Sequence, residues 1–153
     1  MYTNFSDQPP ACLLAIQISP QRGGPMQPMA RAALETGKGL CGDRFFASRR
    51  PVTLLGEYDL QQLAFQNGLA LQFQDVRRNL LIRGLDPQTL LGKTFYIGSL
   101  PFEAIAPCPP CAHLRTLLQA TYGRAPDLRN WAGGIVIRPL ARGLIQAGDN
   151  LCL

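Results

Sequence analysis

Residues 103–114 read EAIAPCPPCAHL, and this stretch predicts a strand, a rigid turn and the start of a helix. Two prolines separate Cys108 from Cys111. Each proline fixes φ near about −65° and lacks a backbone donor, so the two thiols are held at a set separation. The apolar run at 100–106 has the composition of a strand. After the turn, leucines recur at helical spacing until Gly123, where a helix is expected to stop.

Cys111 lies at the predicted junction between the turn and the helix. The first N–H groups of a helix have no partner within the helix, and here they would point toward the sulfur. Such surroundings favour the thiolate, which is the form of cysteine that binds metals and attacks disulfides. The alternative is that Cys108 and Cys111 are both buried as small apolar residues. The stiff spacer between them favours the functional interpretation.

The composition indicates one soluble domain that handles anions. The net charge of +5 comes from thirteen arginines and two lysines among 153 residues. Arginine grips phosphate and carboxylate groups through two parallel hydrogen bonds. The basic runs are only two residues long, so nucleic-acid binding is not expected. Five cysteines without a signal peptide or a membrane-spanning apolar run favour the reducing cytoplasm.

Short apolar runs with a turn signal about every dozen residues predict many short strands. Fifteen glycines and thirteen prolines leave room for about two short helices, one at 57–67 and one after Cys111. We therefore predict a mainly β fold, a closed or nearly closed β-barrel. A flexible N-terminus at 1–10 should precede a single domain at 11–153. Residues 29–35 fit either a strand or a turn of helix.

Two further motifs carry chemistry. Residues 37–44, GKGLCGDR, have three glycines in six positions, which suits close backbone approach to a phosphate. Their alternative is a turn in which Asp43 and Arg44 pair for structure. Arg77, Arg78 and Asn79 precede a predicted strand and can offer guanidinium forks and an amide to an anionic heteroaromatic ligand. Their alternative is a solvated charge pair at a sheet edge.

Together, four stretches in this order resemble the MOSC domain, named for the C-terminal part of molybdenum cofactor sulfurase. They are GLCGDR at 39–44, RRNL at 77–80 with GLD at 84–86, PCPPC at 107–111, and GIVIR at 134–138 followed by Gly143 and Gly148-Asp149. The resemblance implies a barrel-like fold and a role with the molybdenum cofactor, molybdopterin. Enzymes of this family reduce N-hydroxylated compounds, with molybdenum held by the pterin dithiolene and one protein cysteine.

The resemblance also implies roles for individual residues. Cys111 matches the cysteine that binds the metal and takes part in catalysis. Arg77 and Asn79 match the arginine and asparagine of an Arg-x-Asn motif, and Arg44 matches the arginine of a Gly-Asp-Arg motif. The predicted cofactor-binding set is Arg44, Asp43, Arg77, Arg78 and Asn79.

The leading hypothesis is a molybdenum-cofactor reductase of N–O bonds in a small-molecule substrate. The sequence has no iron–sulfur spacing and no nucleotide fingerprint, so electrons would come from a separate donor protein. One alternative is a sulfur or cofactor carrier that uses Cys111 without turnover. A homodimer remains open. Pyridoxal phosphate is not expected, because only Lys38 and Lys93 could form its Schiff base.

A third possibility is a thiol oxidoreductase or a zinc site built on Cys108 and Cys111. With His113 the motif offers three zinc ligands, whereas a structural zinc site takes four. A thioredoxin-like role would need a βαβ pattern around the motif, and the sequence does not show one.

Overall fold

The computed structural model describes residues 9–153, so most of the predicted flexible segment 1–10 lies outside the described residues. Eleven strands are found in the described part of the chain: β1 Cys12–Ile18, β2 Gln27–Met29, β3 Arg31–Glu35, β4 Gly39–Leu40, β5 Val52–Gly56, β6 Leu80–Arg83, β7 Thr94–Ile97, β8 Leu100–Pro107, β9 Ile135–Pro139, β10 Gly143–Gln146 and β11 Leu151–Cys152. The helices are α1 Glu57–Asn67, α2 Phe73–Val76 and α3 Ala112–Tyr122, with a 3₁₀ turn at Pro87–Leu90.

Eight strands form one curled sheet in the order β11-β7-β8-β9-β5-β6-β1-β2. Near its start β1 also meets the chain that leads into β11, through a bridge between Cys12 and Asn150. The Leu13 N–H donates to the Asp149 carbonyl, and the Leu151 N–H donates to the Ala11 carbonyl, both at 2.8 Å. These hydrogen bonds bring β1, which lies next to the edge strand β2, close to β11 at the opposite edge of the sheet. The prediction of a mainly β, nearly closed barrel is confirmed.

The element count is richer than predicted. Between residues 9 and 153 there are three α-helices rather than about two, because α2 is only four residues long and too short to show a helical period. The undecided region 29–35 forms the end of β2 and all of β3. In a second, small sheet β3 pairs with β4 and β10, and β10 also went unpredicted because the sequence there reads as turns.

Two hydrophobic clusters lie on opposite faces of the barrel wall. Side chains in a strand alternate between the two faces, so Leu54 and Leu80 point into the barrel while Leu55 and Leu81 point out toward the helices. We call the inner cluster the barrel core. The outer cluster, the helical core, consists of Leu55, Leu60, Leu63, Val76, Leu81, Leu114, Leu118 and Trp131.

The helical layer exists because β5 and β6 are parallel neighbours. A parallel pair needs a crossover connection, and α1 and α2 provide it over the outer face. α3 packs against α2 in the same layer. The crossover ends at Arg77, and α3 begins after Cys111, so the layer brings the two predicted motifs to one side of the barrel.

Candidate functional site

Cys111 occupies the N-cap of α3, as the sequence predicted. Its backbone is extended, with φ −105° and ψ 167°, and its side chain makes no capping hydrogen bond. The residue is exposed. Cys108, three residues earlier, is 0% exposed, and its sulfur accepts a hydrogen bond from Arg50 Nη2 at 2.8 Å. The two thiols therefore differ sharply in access: only Cys111 is open to a ligand from solvent.

The turn that carries both cysteines is held by the entry to β9. Arg78 is buried, and it donates from Nε to the Gly133 carbonyl at 2.7 Å and from Nη2 to the Cys108 carbonyl at 3.1 Å. The Cys108 N–H donates to the Gly134 carbonyl at 2.9 Å. Gly133 has φ +79°, and a Cβ there would lie 2.3 Å from the Cys108 carbonyl oxygen. Only glycine permits this approach.

Asp43 fixes the turn of the glycine-rich stretch. Its side chain is 0% exposed and accepts hydrogen bonds from the Ser19 N–H at 3.0 Å and the Phe45 N–H at 3.1 Å. Arg44 Nη1 is 3.1 Å from the same carboxylate. Arg44 Nη2 reaches the Arg77 carbonyl at 3.2 Å. The structural pairing of Asp43 with Arg44, one of the two sequence interpretations, is present, and it aims the guanidinium at the second motif.

Arg77 ends α2 in a left-handed conformation, with φ 58°. Its Nη1 donates to the Gly24 carbonyl at 2.7 Å. Its Nη2 is buried and has no hydrogen-bond partner among residues 9–153. A buried donor without an acceptor is rare and costs free energy, so this atom indicates where a ligand's acceptor would be favoured.

Asn79 is 1% exposed, and its polar atoms are used within the barrel wall. Its Oδ1 accepts from the Thr53 N–H at 3.0 Å and from the Thr53 hydroxyl at 3.1 Å. Its Nδ2 donates to the Gln17 carbonyl at 3.2 Å. In this arrangement Asn79 joins β1, β5 and the entry to β6, and it supports the site from behind.

These elements enclose a cavity of about 390 Å³. We call it the arginine cavity, because five of its lining residues are Arg22, Arg44, Arg50, Arg77 and Arg78. Cys111, Phe45 and His113 also line it. Four of the predicted site residues thus meet here: Cys111, Arg44, Arg77 and Arg78. The other two, Asp43 and Asn79, are buried beside the lining and bond to Arg44 and Thr53 respectively.

Several lining residues were not assigned from the sequence. Arg50 stood out only as part of a basic pair, and its link to Cys108 spans 58 positions. Phe45 stacks close to cations: its ring centroid lies 4.5 Å from the Arg44 guanidinium carbon, 5.9 Å from that of Arg22 and 6.0 Å from that of Arg50. No local sequence signal identifies such long-range partners. The ring adds a flat apolar wall to a cationic cavity.

The electrostatics of the cavity favour an anion. Burial lowers the pKa of the Arg44 guanidinium; the Asp43 carboxylate raises it, and the Arg77 cation lowers it again. Burial also lowers the pKa of Arg77, with a smaller opposing effect of Asp43. Arginine stays protonated at neutral pH in spite of such shifts. Five arginines line the cavity, whereas the one carboxylate beside it, Asp43, pairs with Arg44, so a negatively charged ligand would reduce the repulsion among the guanidinium groups.

On its other side, Cys111 lines a larger and more open cleft of about 810 Å³. We call it the outer cleft. Its wall runs through Pro109, Pro110, Ala112 and Arg115, then through residues 125–129 to Trp131. Cys111 is thus shared between a cationic cavity and an open approach.

The described residues do not provide a multidentate protein site for a metal. Between positions 9 and 153, no three or more His, Cys, Asp or Glu side chains are grouped so that they could hold an ion. A closed zinc site made from Cys108, Cys111 and His113 therefore has no geometric support here. A metal bound at Cys111 would depend on ligands from outside the protein. In the same part of the chain, no helix is long and apolar enough to cross a bilayer.

Comparison with known proteins agrees with this fold. YuaD from Bacillus subtilis is similar in structure, with a TM-score of 0.80 at 16% identity over 92% of this chain and 94% of that one. YiiM from Geobacillus stearothermophilus gives a TM-score of 0.65 at 16% identity, over 94% of this chain and 75% of that one. YiiM from Escherichia coli gives 0.61 at 18% identity, over 93% and 69%. No curated protein sequence matches this chain.

The family is decided by sequence rather than by these distant structures. The profile of the MOSC domain matches residues 41–151, which is well over half of the chain. The matched segment begins in the glycine-rich turn and contains Arg77, Cys111 and the strands from β5 to β10. MOSC domains are associated with the molybdenum cofactor. This protein therefore belongs to the MOSC domain family.

Proposed function

We propose that this protein binds the molybdenum cofactor in the arginine cavity, with Cys111 as the protein ligand of the metal. We propose further that it reduces the N–O bond of small N-hydroxylated compounds. One observation carries the proposal: the exposed Cys111 lines the same cavity as Arg77, whose Nη2 is buried without a hydrogen-bond partner among residues 9–153. A cavity lined by a cysteine and by an arginine with an unsatisfied donor suits a ligand that contains both a metal and an anionic group.

The residues present fit such a group. Molybdopterin carries a phosphate and a flat, hydrogen-bonding pterin. Arg77 and Arg44 would hold its anionic part, because guanidinium groups match phosphate oxygens in pairs. Phe45 would lie against a flat ring. The Arg78 guanidinium donates to the backbone carbonyls of Gly133 and Cys108, so its role in this proposal is to position the turn that carries Cys111.

When bound, the cofactor supplies a metal centre that can pass electrons to an N–O bond. The overall reaction R–NH–OH + 2 e⁻ + 2 H⁺ → R–NH₂ + H₂O balances only with an external source of two electrons. A separate electron-donor protein is therefore part of the proposal, as is a reducing location such as the cytoplasm. In this reaction Cys111 anchors the metal, and the arginines neutralise the charge of the ligand.

The test compares two serine variants in a host that makes the cofactor. Wild-type protein should carry about one molybdenum atom per chain, because the site offers one accessible cysteine sulfur. Cys111→Ser should lose the metal and all N-hydroxy reduction, since a neutral hydroxyl is a harder ligand than a thiolate. Cys108→Ser is the matched control and should keep most of both, because its hydroxyl can still accept the Arg50 hydrogen bond. Elemental and pterin analyses of the three proteins provide the measurement.

Other outcomes decide against this function. Equal metal content in all three proteins would show that Cys111 is not the ligand. Equal loss in both variants, with a disulfide between residues 108 and 111 on mild oxidation, would favour a dithiol function instead. A third outcome is that wild-type protein holds molybdenum and pterin but reduces no N-hydroxylated compound with any electron donor. The protein would then be a carrier of sulfur or cofactor, a role that the exposure of Cys111 also allows.

A further inference from the structure

The first turns of α3 separate two cavities that share Cys111. His113 and Leu114 line the arginine cavity, whereas Ala112 and Arg115 line the outer cleft. Residues one turn apart on a helix lie on the same face, so Arg115 stands directly after Cys111 along the cleft wall. A ligand filling the arginine cavity would leave this cleft as an open approach to the Cys111 sulfur.

The walls of the outer cleft are held in place by hydrogen bonds to neighbouring elements. Its far wall, residues 125–129, is fixed to the end of α1: the Asp127 N–H donates to Asn67 Oδ1 at 2.8 Å, and Arg124 Nη2 donates to the Gly68 carbonyl at 3.1 Å. Trp131 belongs to the helical core, Leu128 packs against that core, and both add apolar surface to the cleft. A volume of about 810 Å³ is in the range that accepts a small organic ligand.

One positive charge in the cleft is not balanced. Arg129 donates from Nε and Nη2 to the Asp127 carboxylate at 3.0 and 2.9 Å, and these bonds lower the pKa of Asp127 to about 2. That pair cancels its own charge at neutral pH. Arg115 is exposed and lines the same cleft, and its charge also lowers the pKa of Asp127, although no direct ion pair joins these two side chains. Two guanidiniums and one carboxylate thus give the cleft a net positive charge, and Arg115, the guanidinium without a direct hydrogen bond to Asp127, lies one helical turn from Cys111.

We propose that the outer cleft is the substrate site and that it selects small, flat organic molecules bearing a carboxylate, which Arg115 binds. This inference rests on the proposed function in one respect: the reacting group of the substrate is the end that reaches Cys111. The apolar walls hold the flat body of the substrate, and the guanidinium holds its carboxylate at the opposite end. Arg115 is a specificity residue in this scheme.

Binding is tested on the full chain, with or without cofactor, through Trp131. It is the only tryptophan in the sequence and it lines the cleft, so its fluorescence reports occupancy there. The probes are 4-nitrobenzoate and the neutral 4-nitrobenzamide, which have nearly the same shape. Wild-type protein should bind the benzoate about fivefold more tightly, as expected for one exposed ion pair, and high salt should reduce this preference.

Three arginine variants locate the anion. Arg115→Gln should remove the preference for benzoate. Arg142→Gln, whose side chain is 79% exposed and pairs with Glu35 beside β10, is the matched control and should retain it. If Arg77→Ala removes the preference while Arg115→Gln does not, the benzoate lies in the arginine cavity and the proposal is wrong. Equal binding of the two probes by wild-type protein would overturn it as well.

A kinetic experiment separates this proposal from the proposed function. With cofactor-loaded protein, 4-carboxybenzamidoxime should show a KM about fivefold below that of benzamidoxime, and Arg115→Gln should remove this difference in KM. If loaded protein reduces neither compound, the reductase function fails while the fluorescence titration still judges the cleft. If it reduces both compounds with equal KM and the titration shows no preference for benzoate, the reductase function is supported and the carboxylate site in the outer cleft is disproved.

Discussion

The barrel core and the helical core lie back to back across the wall formed by β5 and β6, but they support different properties of the molecule. The barrel core fills the inside of the sheet and includes Phe95 and Phe102. The helical core is a thinner layer of eight buried residues, and α2 and α3 carry Arg77 and Cys111 at their ends. Because the larger core lies inside the barrel and the candidate site residues lie at the ends of the outer helices, we expect mutations in the two layers to affect stability and ligand binding unequally.

The largest effect is expected inside the barrel. Phe102 is 0% exposed and stacks on Phe95, with ring centroids 5.8 Å apart. Phe102→Ala should lower the free energy of unfolding by about 3–5 kcal/mol, because the core loses apolar contacts and gains a cavity. Urea denaturation measures this change. A loss below about 1 kcal/mol would mean that the barrel core is not the main source of stability.

A smaller loss with a larger functional consequence is expected in the helical core. Leu118 is 1% exposed in the middle of α3. Leu118→Ala should cost about 2–4 kcal/mol, and it should also reduce ligand retention and alter Trp131 emission, since α3 places both Cys111 and this core. The control is Leu144→Ala on β10, which is 62% exposed and should change stability by less than about 0.5 kcal/mol. If folded Leu118→Ala retained ligand as well as wild type does, the helical core would not be what positions the ligand site.

A weaker link joins α2 to α3 within the helical layer. The Tyr122 hydroxyl donates to the Asp75 carboxylate. This hydrogen bond, with burial and the carboxylate charge, raises the pKa of Tyr122 from 10.0 to about 12. Tyr122→Phe should therefore cost about 0.5–1.5 kcal/mol at neutral pH.

The pH dependence of that link has a definite sign. The folded protein keeps Tyr122 protonated where the unfolded chain ionises, so its contribution is complete below pH 10.0 and disappears as pH rises toward about 12. Absorbance titration should show one tyrosine with a pKa near 12 that is missing in Tyr122→Phe. Identical stability of both proteins at pH 7 would show that the hydrogen bond does not hold α2 to α3.

The sequence predicted the scaffold better than the cavity, for physical reasons. Alternating apolar runs and turn glycines are local signals, and they placed α1, β6 and the start of α3 at Cys111 correctly. Arg50 binds Cys108 across 58 positions, and Trp131 is held by the Asp59 carbonyl across 72 positions; no local pattern encodes either contact. Asp43 could be recognised as part of a turn. The hydrogen bond that its buried carboxylate accepts from the Ser19 N–H, in addition to the local one from the Phe45 N–H, depends on how distant parts of the chain pack.

The smallest effect on stability is expected at Arg77. This residue also tests most directly whether ligand binding and stability depend on different layers of the protein. Its φ of 58° lies in the left-handed region, which costs a non-glycine residue about 1 kcal/mol. Its side chain gains one hydrogen bond to the Gly24 carbonyl but leaves Nη2 buried without a partner among residues 9–153. These two contributions oppose each other, so Arg77→Ala should change the free energy of unfolding by less than about 1 kcal/mol.

Two variants separate backbone strain from ligand binding at this position. Arg77→Gly removes the same guanidinium as Arg77→Ala but tolerates a positive φ, so it should be more stable than Arg77→Ala by about 1 kcal/mol. Both variants should lose anionic ligands to the same extent, most clearly at high salt, because the remaining cations are screened. Denaturation curves and retained pterin per chain give the two readouts. If Arg77→Ala loses more than about 2 kcal/mol, Arg77 is part of the scaffold. If both variants retain pterin as wild type does, the unpartnered Nη2 does not mark the cofactor site, and cofactor binding does not depend on the residue that ends α2.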